Sequence, residues 1–192
     1  MGTGEDETWA AARAGSSRAF SSLFDLHYDR VFRHVVGLLD QGADADEVCG
    51  SAFLELWRLR ERVQLVHGSV LPWLLVTAGN LARNHGRKAR RYQQVLRTLP
   101  RDPGSYDVTA VVEEQDDLDR RAAAVRHAFA RLKPIDAQLL DLTTRAELPV
   151  QDAAAVLGIS AGAARVRLHR ARNRLRDLLP ADLDPSYPNE AR

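Results

Sequence analysis

PVQDAAAVLGISAGAARVRLHRARNRL, Pro149–Leu175, is the stretch whose reading decides the fold. Pro149 sits where a helix would begin, since its missing N–H costs nothing in a first turn. Ala154 is small where two helices must cross closely, and Gly158, four residues on, can take the positive φ that ends a helix. Ile159 is an apolar plug, and Ser160 can cap the helix that follows. At about 100° per residue, Ala164, Leu168, Ala171, Leu175 and Leu178 fall in one apolar stripe. The remaining arc holds Arg165, Arg167, Arg170, Arg172, Arg174, Arg176 and His169, and no acidic residue appears before Asp177.

This order of helix, tight turn and one-sided basic helix matches a DNA-binding helix-turn-helix, whose second helix enters the major groove. The planar guanidinium fork pairs with phosphate oxygens or with guanine O6 and N7. Residues near the helix start, Ser160, Ala161, Ala163, Arg165, Val166 and Arg167, are expected to face base edges. His169, Arg170 and Arg174 lie further along, towards phosphates or solvent. Arginine is a habit of this chain, whose 27 basic residues include only Lys88 and Lys133 as lysines. The turn, the capping serine and the segregated charge together go beyond that habit.

The whole protein is not a polycation. Its formal net charge is +1, so a nucleic-acid surface has to arise from segregation of charge rather than from its total. Hydrophobic residues make up 45% of the 192, enough for one mid-sized domain or two small ones. The lone Cys49 excludes an internal disulfide and a cysteine-rich zinc site. The opening MGTGEDETWAAARAG is acidic and lacks the pattern of a signal peptide, and no apolar run suits a membrane span. A cytoplasmic protein is expected. His27, His34, His67, His85, His127 and His169 are scattered without metal-ligand spacing, so neither cofactor, metal site nor enzyme activity is expected.

Working outward, residues 99–119 carry Asp102, Asp107, Glu113, Glu114, Asp116, Asp117 and Asp119 with helix-breaking Pro and Gly, an acidic linker that turns helical towards its end. Before it, Phe20, Leu23, Phe24, Tyr28, Val31, Phe32, Val35 and Leu39 follow helical spacing. Asp44 and Glu47 form a capping pair for a second helix, Ala45 to about Arg62. Pro72 opens a third, which runs on into RNHGRKARR. Asn80, Arg83, Asn84, Arg87, Lys88, Arg90 and Arg91, flanked by Trp73 and Tyr92, suit single-stranded nucleic acid. No segment alternates with period two. The expectation is an all-α chain of two small helical domains. Residues 1–17 are a flexible segment, 18–98 a first domain, 99–119 the linker, 120–180 a helix-turn-helix domain and 181–192 a tail.

The order of these parts resembles bacterial RNA polymerase sigma factors of the small, extracytoplasmic-function (ECF) type. FSSLFDLHYDRVFRHVVGLL resembles the family's first helix, and DADEVCGSAFLELWR its helix for the clamp of the polymerase β′ subunit. WLLVTAGNLARNHGRKARR resembles the segment that reads and opens the minus-ten element. LKPIDAQLLDLTTRAELPVQDAAAVLGISAGAARVRLHRARNRL resembles the domain that reads the minus-thirty-five duplex. The resemblance implies an initiation factor that binds core RNA polymerase, through the β′ clamp helices and the β subunit, and promoter DNA both duplex and single-stranded. An anti-sigma partner is usual in the family. By the same resemblance, Asp44, Asp46, Glu47, Gly50, Ser51 and Glu55 face the polymerase, with Phe53 and Trp57 on the packing side. Gly50 stands where the family usually has Gln, Asn84 where an Asp is common, and Gly162–Leu168 replaces GTVKSRL. The alternative from the residues alone is a helix-turn-helix regulator that binds duplex DNA independently of polymerase.

Overall fold

The structure, a computed structural model, describes residues 4–39, 44–98 and 113–179, with the side chains of 88–98, 113–120 and 122 outside the description. Eight helices account for the described residues: α1 (Glu5–Arg13), α2 (Ser17–Val36), α3 (Ala45–Arg58), α4 (Leu71–Thr98), α5 (Glu113–Ala130), α6 (Pro134–Thr144), α7 (Val150–Val156) and α8 (Ala161–Leu178). The only strand-like pairing among them is one isolated bridge, Val66 to Ser69. The expected linker lies mostly outside the described residues, and α5 begins inside its last part.

Helices α2, α3 and α4 bury the apolar faces that their spacing predicts. Leu23, Leu56, Leu74 and Leu75 are almost wholly removed from solvent, each a burial of about 1.5–3 kcal/mol. Aromatic rings lace α2 to α3: Phe20 meets Trp57 edge-on at 5.1 Å, and Phe24 meets Phe53 at 4.6 Å. Ala78, Gly79 and Ala82 give α4 a small-residue face against α2. The helix then continues unbroken to Thr98, carrying the basic run with it.

One expectation is corrected. Within the expected flexible segment 1–17, Glu5–Arg13 is helical, with Trp9 and Ala12 buried. The acidic start of α1 suits the positive end of its helix dipole. Glu5 then ties the helix to the body, accepting from His27 at 2.9 Å and from the Val70 amide at 2.8 Å. Burial alone would raise the Glu5 pKa, but these bonds hold it below the usual carboxylate value. A second correction concerns the start of α3. Asp44 occupies the N-cap position but makes no side-chain capping bond, its carboxylate lying 3.6 Å from His85 Nδ1 instead. That helix also ends at Arg58, before the expected Arg62.

In the second domain, α6, α7 and α8 pack around Leu139, Leu140, Leu142, Leu148, Ala153, Ala154, Ala164 and Leu168. The two domains also touch, through α4 against α6 and α7. Nothing in the hydropathy pattern predicts that contact.

Candidate nucleic-acid interface

The second-domain surface is built from its turn. Helix α7 ends at Val156, Gly158 takes φ +69°, and Ser160 accepts the Ala163 amide at 3.1 Å. With the turn fixed, Ala164, Leu168 and Ala171 point into the domain at no more than 3% exposure, Leu175 and Leu178 half-bury behind them, and the opposite side is left open. There Ala163, Arg165, Val166, His169, Arg170, Arg172 and Arg174 are exposed, with Ser160 just before the helix and Ala161 half-buried at its start. Val166, 50% exposed, is an apolar spot between guanidiniums, suited to a thymine methyl. Arg167 differs from its neighbours. Its Nη1 donates to Asp136 Oδ1 of α6 at 2.8 Å, so it braces the helix as well as edging the surface.

The first-domain surface lies along α4. Asn80, Asn84 and Arg87 are exposed and Arg83 is half-buried. Asn80 Oδ1 accepts from Arg83 at 2.9 Å, and Asn84 accepts from Arg87, each pair three residues apart on one face. Burial lowers the Arg83 pKa, and a neighbouring Asp141 counters it. The side chains of Lys88, Arg90, Arg91 and Tyr92, named with this group from sequence, lie outside the described residues. Trp73 half-buries against the core rather than standing free.

The acidic flank of α3 lies beside that surface. Asp46, Glu47 and Gly50 are exposed, and Ser51 and Glu55 are half-buried. Tyr28 donates to Asp46, a bond that pushes the tyrosine pKa up to about 12. Glu55 pairs with Arg58 at 3.0 Å. Phe53 faces inward, and Trp57 packs on Phe20 with the Arg60 guanidinium 4.4 Å from its ring centre. Glu47, Val48 and Ser51 of α3 line one open groove with Leu81, Asn84, His85 and Arg87 of α4. Acidic and basic groups therefore share one cleft. Asp44, Glu47 and His85 bring possible ligand atoms within 4.8 Å of one another, the group among the described residues that could share a cation.

Comparison with known proteins bears on the whole arrangement. Residues 23–92 match the family model for sigma-70 region 2, and residues 122–175 that for sigma-70 region 4. The chain is 30% identical over 167 residues to the RNA polymerase sigma factor CarQ of Myxococcus xanthus, covering 87% of this chain and 92% of CarQ. The chain belongs to the RNA polymerase sigma factors. Its ECF type follows from relatives such as the ECF sigma factor SigC of Mycobacterium tuberculosis, 29% identical over 185 residues and covering 91% of this chain and 89% of SigC. The chain is also 27% identical to the ECF sigma factor BldN of Streptomyces coelicolor, of which it spans 64%. Among solved structures, CnrH in complex with the cytosolic domain of CnrY shares the fold at TM-score 0.61 and 21% identity, with 92% of this chain and 97% of that one covered.

As a sigma factor the chain is a transcription initiation factor, and a regulator acting without polymerase is not favoured. The sequence located α3, α4 and α8 correctly. It missed Asp141, His34 and Arg30, which join the domains, because single polar residues on otherwise ordinary helices carry no periodic signal.

Proposed function

We propose that this ECF sigma factor works as a two-handed adaptor, inert by itself, whose surfaces become a promoter reader only on core RNA polymerase. Helix α8 lies in the major groove of the minus-thirty-five element, with Arg165 and Val166 at base edges and Arg170, Arg172 and Arg174 on phosphates. Asn80, Arg83, Asn84 and Arg87, with Lys88, Arg90 and Arg91 further along α4, take the unpaired minus-ten strand. Asp44, Asp46, Glu47, Gly50, Ser51 and Glu55 form the acidic face that docks on the β′ clamp helices. The site of action is the cytoplasm, and no chemical step is assigned to the chain itself. Among the described residues no helix is long and apolar enough to cross a membrane.

One observation carries this reading: α8 buries Ala164, Leu168 and Ala171 on one side and leaves Arg165, Arg170, Arg172 and Arg174 exposed on the other, with no acidic residue before Asp177. A solvated helix would mix signs on that arc. The test is run-off transcription from a genomic fragment library with bacterial core polymerase and the purified chain. New start sites are expected with the wild type, and a different or empty set with Arg165→Ala. Association with core and start-site choice both unaffected by Arg165→Ala would overturn the assignment.

A further inference from the structure

Val166 stands at the crest of α8, on the side turned furthest from its own domain. At about 100° per residue, it lies about 170° round the helix from the mean direction of the buried Ala164, Leu168 and Ala171. Ala163 and Arg165 fall on either flank of that crest, and both are exposed. Gly162, one turn before Val166 on the same ridge, is exposed too, and a Cβ there would meet nothing within 4 Å. No packing demand excludes a side chain at Gly162, and its bare backbone lets the start of the helix come close to a surface.

A single exposed valine is ordinary on a protein surface. The surroundings of this one are not. The first turn of α8, Ala161–Ala164, offers no polar side chain, and the hydroxyl of Ser160 before it is engaged as the cap on the Ala163 amide. Arg167 is tied to Asp136, and further along the crest Asn173 Nδ2 donates to His169 Nε2 at 3.2 Å. Measured against GTVKSRL, the two hydroxyl-bearing positions have become Ala163 and Val166. What the crest presents to a base edge is apolar.

We propose that Val166 fixes one base of the minus-thirty-five element as thymine, by packing on its C5-methyl group and without a hydrogen bond. The inference rests on the placement of α8 in the major groove under the proposed function. In that groove thymine alone of the four bases carries a methyl group, while the others present only donors and acceptors. An isopropyl group pressed on a polar edge displaces its water and returns no hydrogen bond, which disfavours every base but thymine. A thymine methyl exchanges water for an apolar partner, which is favourable. Arg165 on the flank supplies charge and donors for a guanine or a phosphate, so affinity and methyl selection reside on different side chains. Selection of this kind has a chemical signature. Uracil keeps every donor and acceptor of thymine and lacks only the methyl, whereas 5-methylcytosine adds that methyl to a cytosine edge.

The experiment uses core polymerase assembled with the full chain. The probes are duplexes carrying the upstream element of a start site mapped by run-off transcription, with each thymine replaced by deoxyuridine in turn. One replacement should weaken binding about fourfold, the contribution of one buried methyl-sized group, and the others should change it little. At that same position 5-methylcytosine should bind about fourfold better than cytosine. Val166 is exposed, so Val166→Ala keeps the helix, and in this variant the difference between thymine and uracil should disappear. In Arg165→Ala overall binding should fall while the difference remains. Equal binding of the thymine and uracil duplexes at every position overturns the inference. So does a difference that survives in Val166→Ala, a 5-methylcytosine no better than cytosine, or an element without thymine. If binding depends on the upstream element but ignores the methyl, the inference alone fails. If neither binding nor start-site choice depends on that element or on Arg165, the proposed function fails and the inference with it.

Discussion

Arg167 of α8 is bonded to Asp136 in the first turn of α6, Nη1 to Oδ1 at 2.8 Å, so one arginine of α8 is committed within its own domain. Arg165, two residues earlier, is exposed with its side chain turned to solvent. The two should therefore separate on substitution. Arg165→Ala is expected to lower promoter affinity of the assembled polymerase with no change in melting temperature. Arg167→Ala should lower both, and a double-mutant cycle with Asp136→Ala should return a coupling of about 0.2–1 kcal/mol, the range for a partly exposed pair. Equal effects of the two alanines on stability would show that the bond does not brace the helix.

Gly158 has open space where a Cβ would go, so the cost of Gly158→Ala comes from its backbone alone, held at φ +69°. A left-handed alanine costs about 1–2 kcal/mol. Denaturant unfolding of the full chain should register a loss of that size. Ser160→Ala should cost about 1 kcal/mol by freeing the Ala163 amide. The two changes sit on one turn and are expected to be less than additive.

Gly50 poses the opposite case. It lies on the exposed face of α3, and a Cβ there would meet nothing within 4 Å. Gly50→Ala should stabilise the chain by about 0.5–1 kcal/mol through helix propensity alone. Chemical unfolding measures this directly. If α3 docks on the polymerase clamp, Gly50→Gln should leave core binding at least as strong as in wild type, read by competition against the unchanged protein.

Acidification should loosen the protein in two steps. Burial is the main cause that lowers the His34 pKa below 6.5; Arg145 and Arg83 push the same way, and Asp141 opposes them. The folded state therefore binds its proton less readily than the unfolded one, and stability falls as pH drops below about 6.5. Glu5 follows at lower pH, since a carboxyl held below 4.5 contributes stability above that value and loses it as pH falls through the folded pKa. Hydrogen exchange distinguishes the steps. Protection at the domain contact should decline first, and the Val70 amide, which donates to Glu5, only later. In Glu5→Gln the second step should vanish; its persistence would rule out Glu5 as the titrating group.

The parts of this sigma factor that were legible in sequence are those fixed by neighbours along the chain. Ser160 caps α8 because its hydroxyl reaches an amide three residues on, and Leu168 faces inward because a helix repeats every 3.6 residues. Such reasoning placed α2, α3, α4 and α8 and separated the arginine arc from its apolar stripe. It failed at α1, where nine residues gain order from one tryptophan and one glutamate bonded to groups 22 and 65 positions away. It failed again at Asp44, whose expected capping role yields to a histidine on another helix.

Tertiary structure alone decided how the two domains meet. Asp141 reads in sequence as one acidic residue among leucines, and only the fold brings Arg83 and His34 to it from 58 and 107 positions away. A helix face is set by local periodicity, which a string of residues contains in full. A charge buried between domains is set by which distant partners reach it, because isolation from water is what makes such a pairing matter.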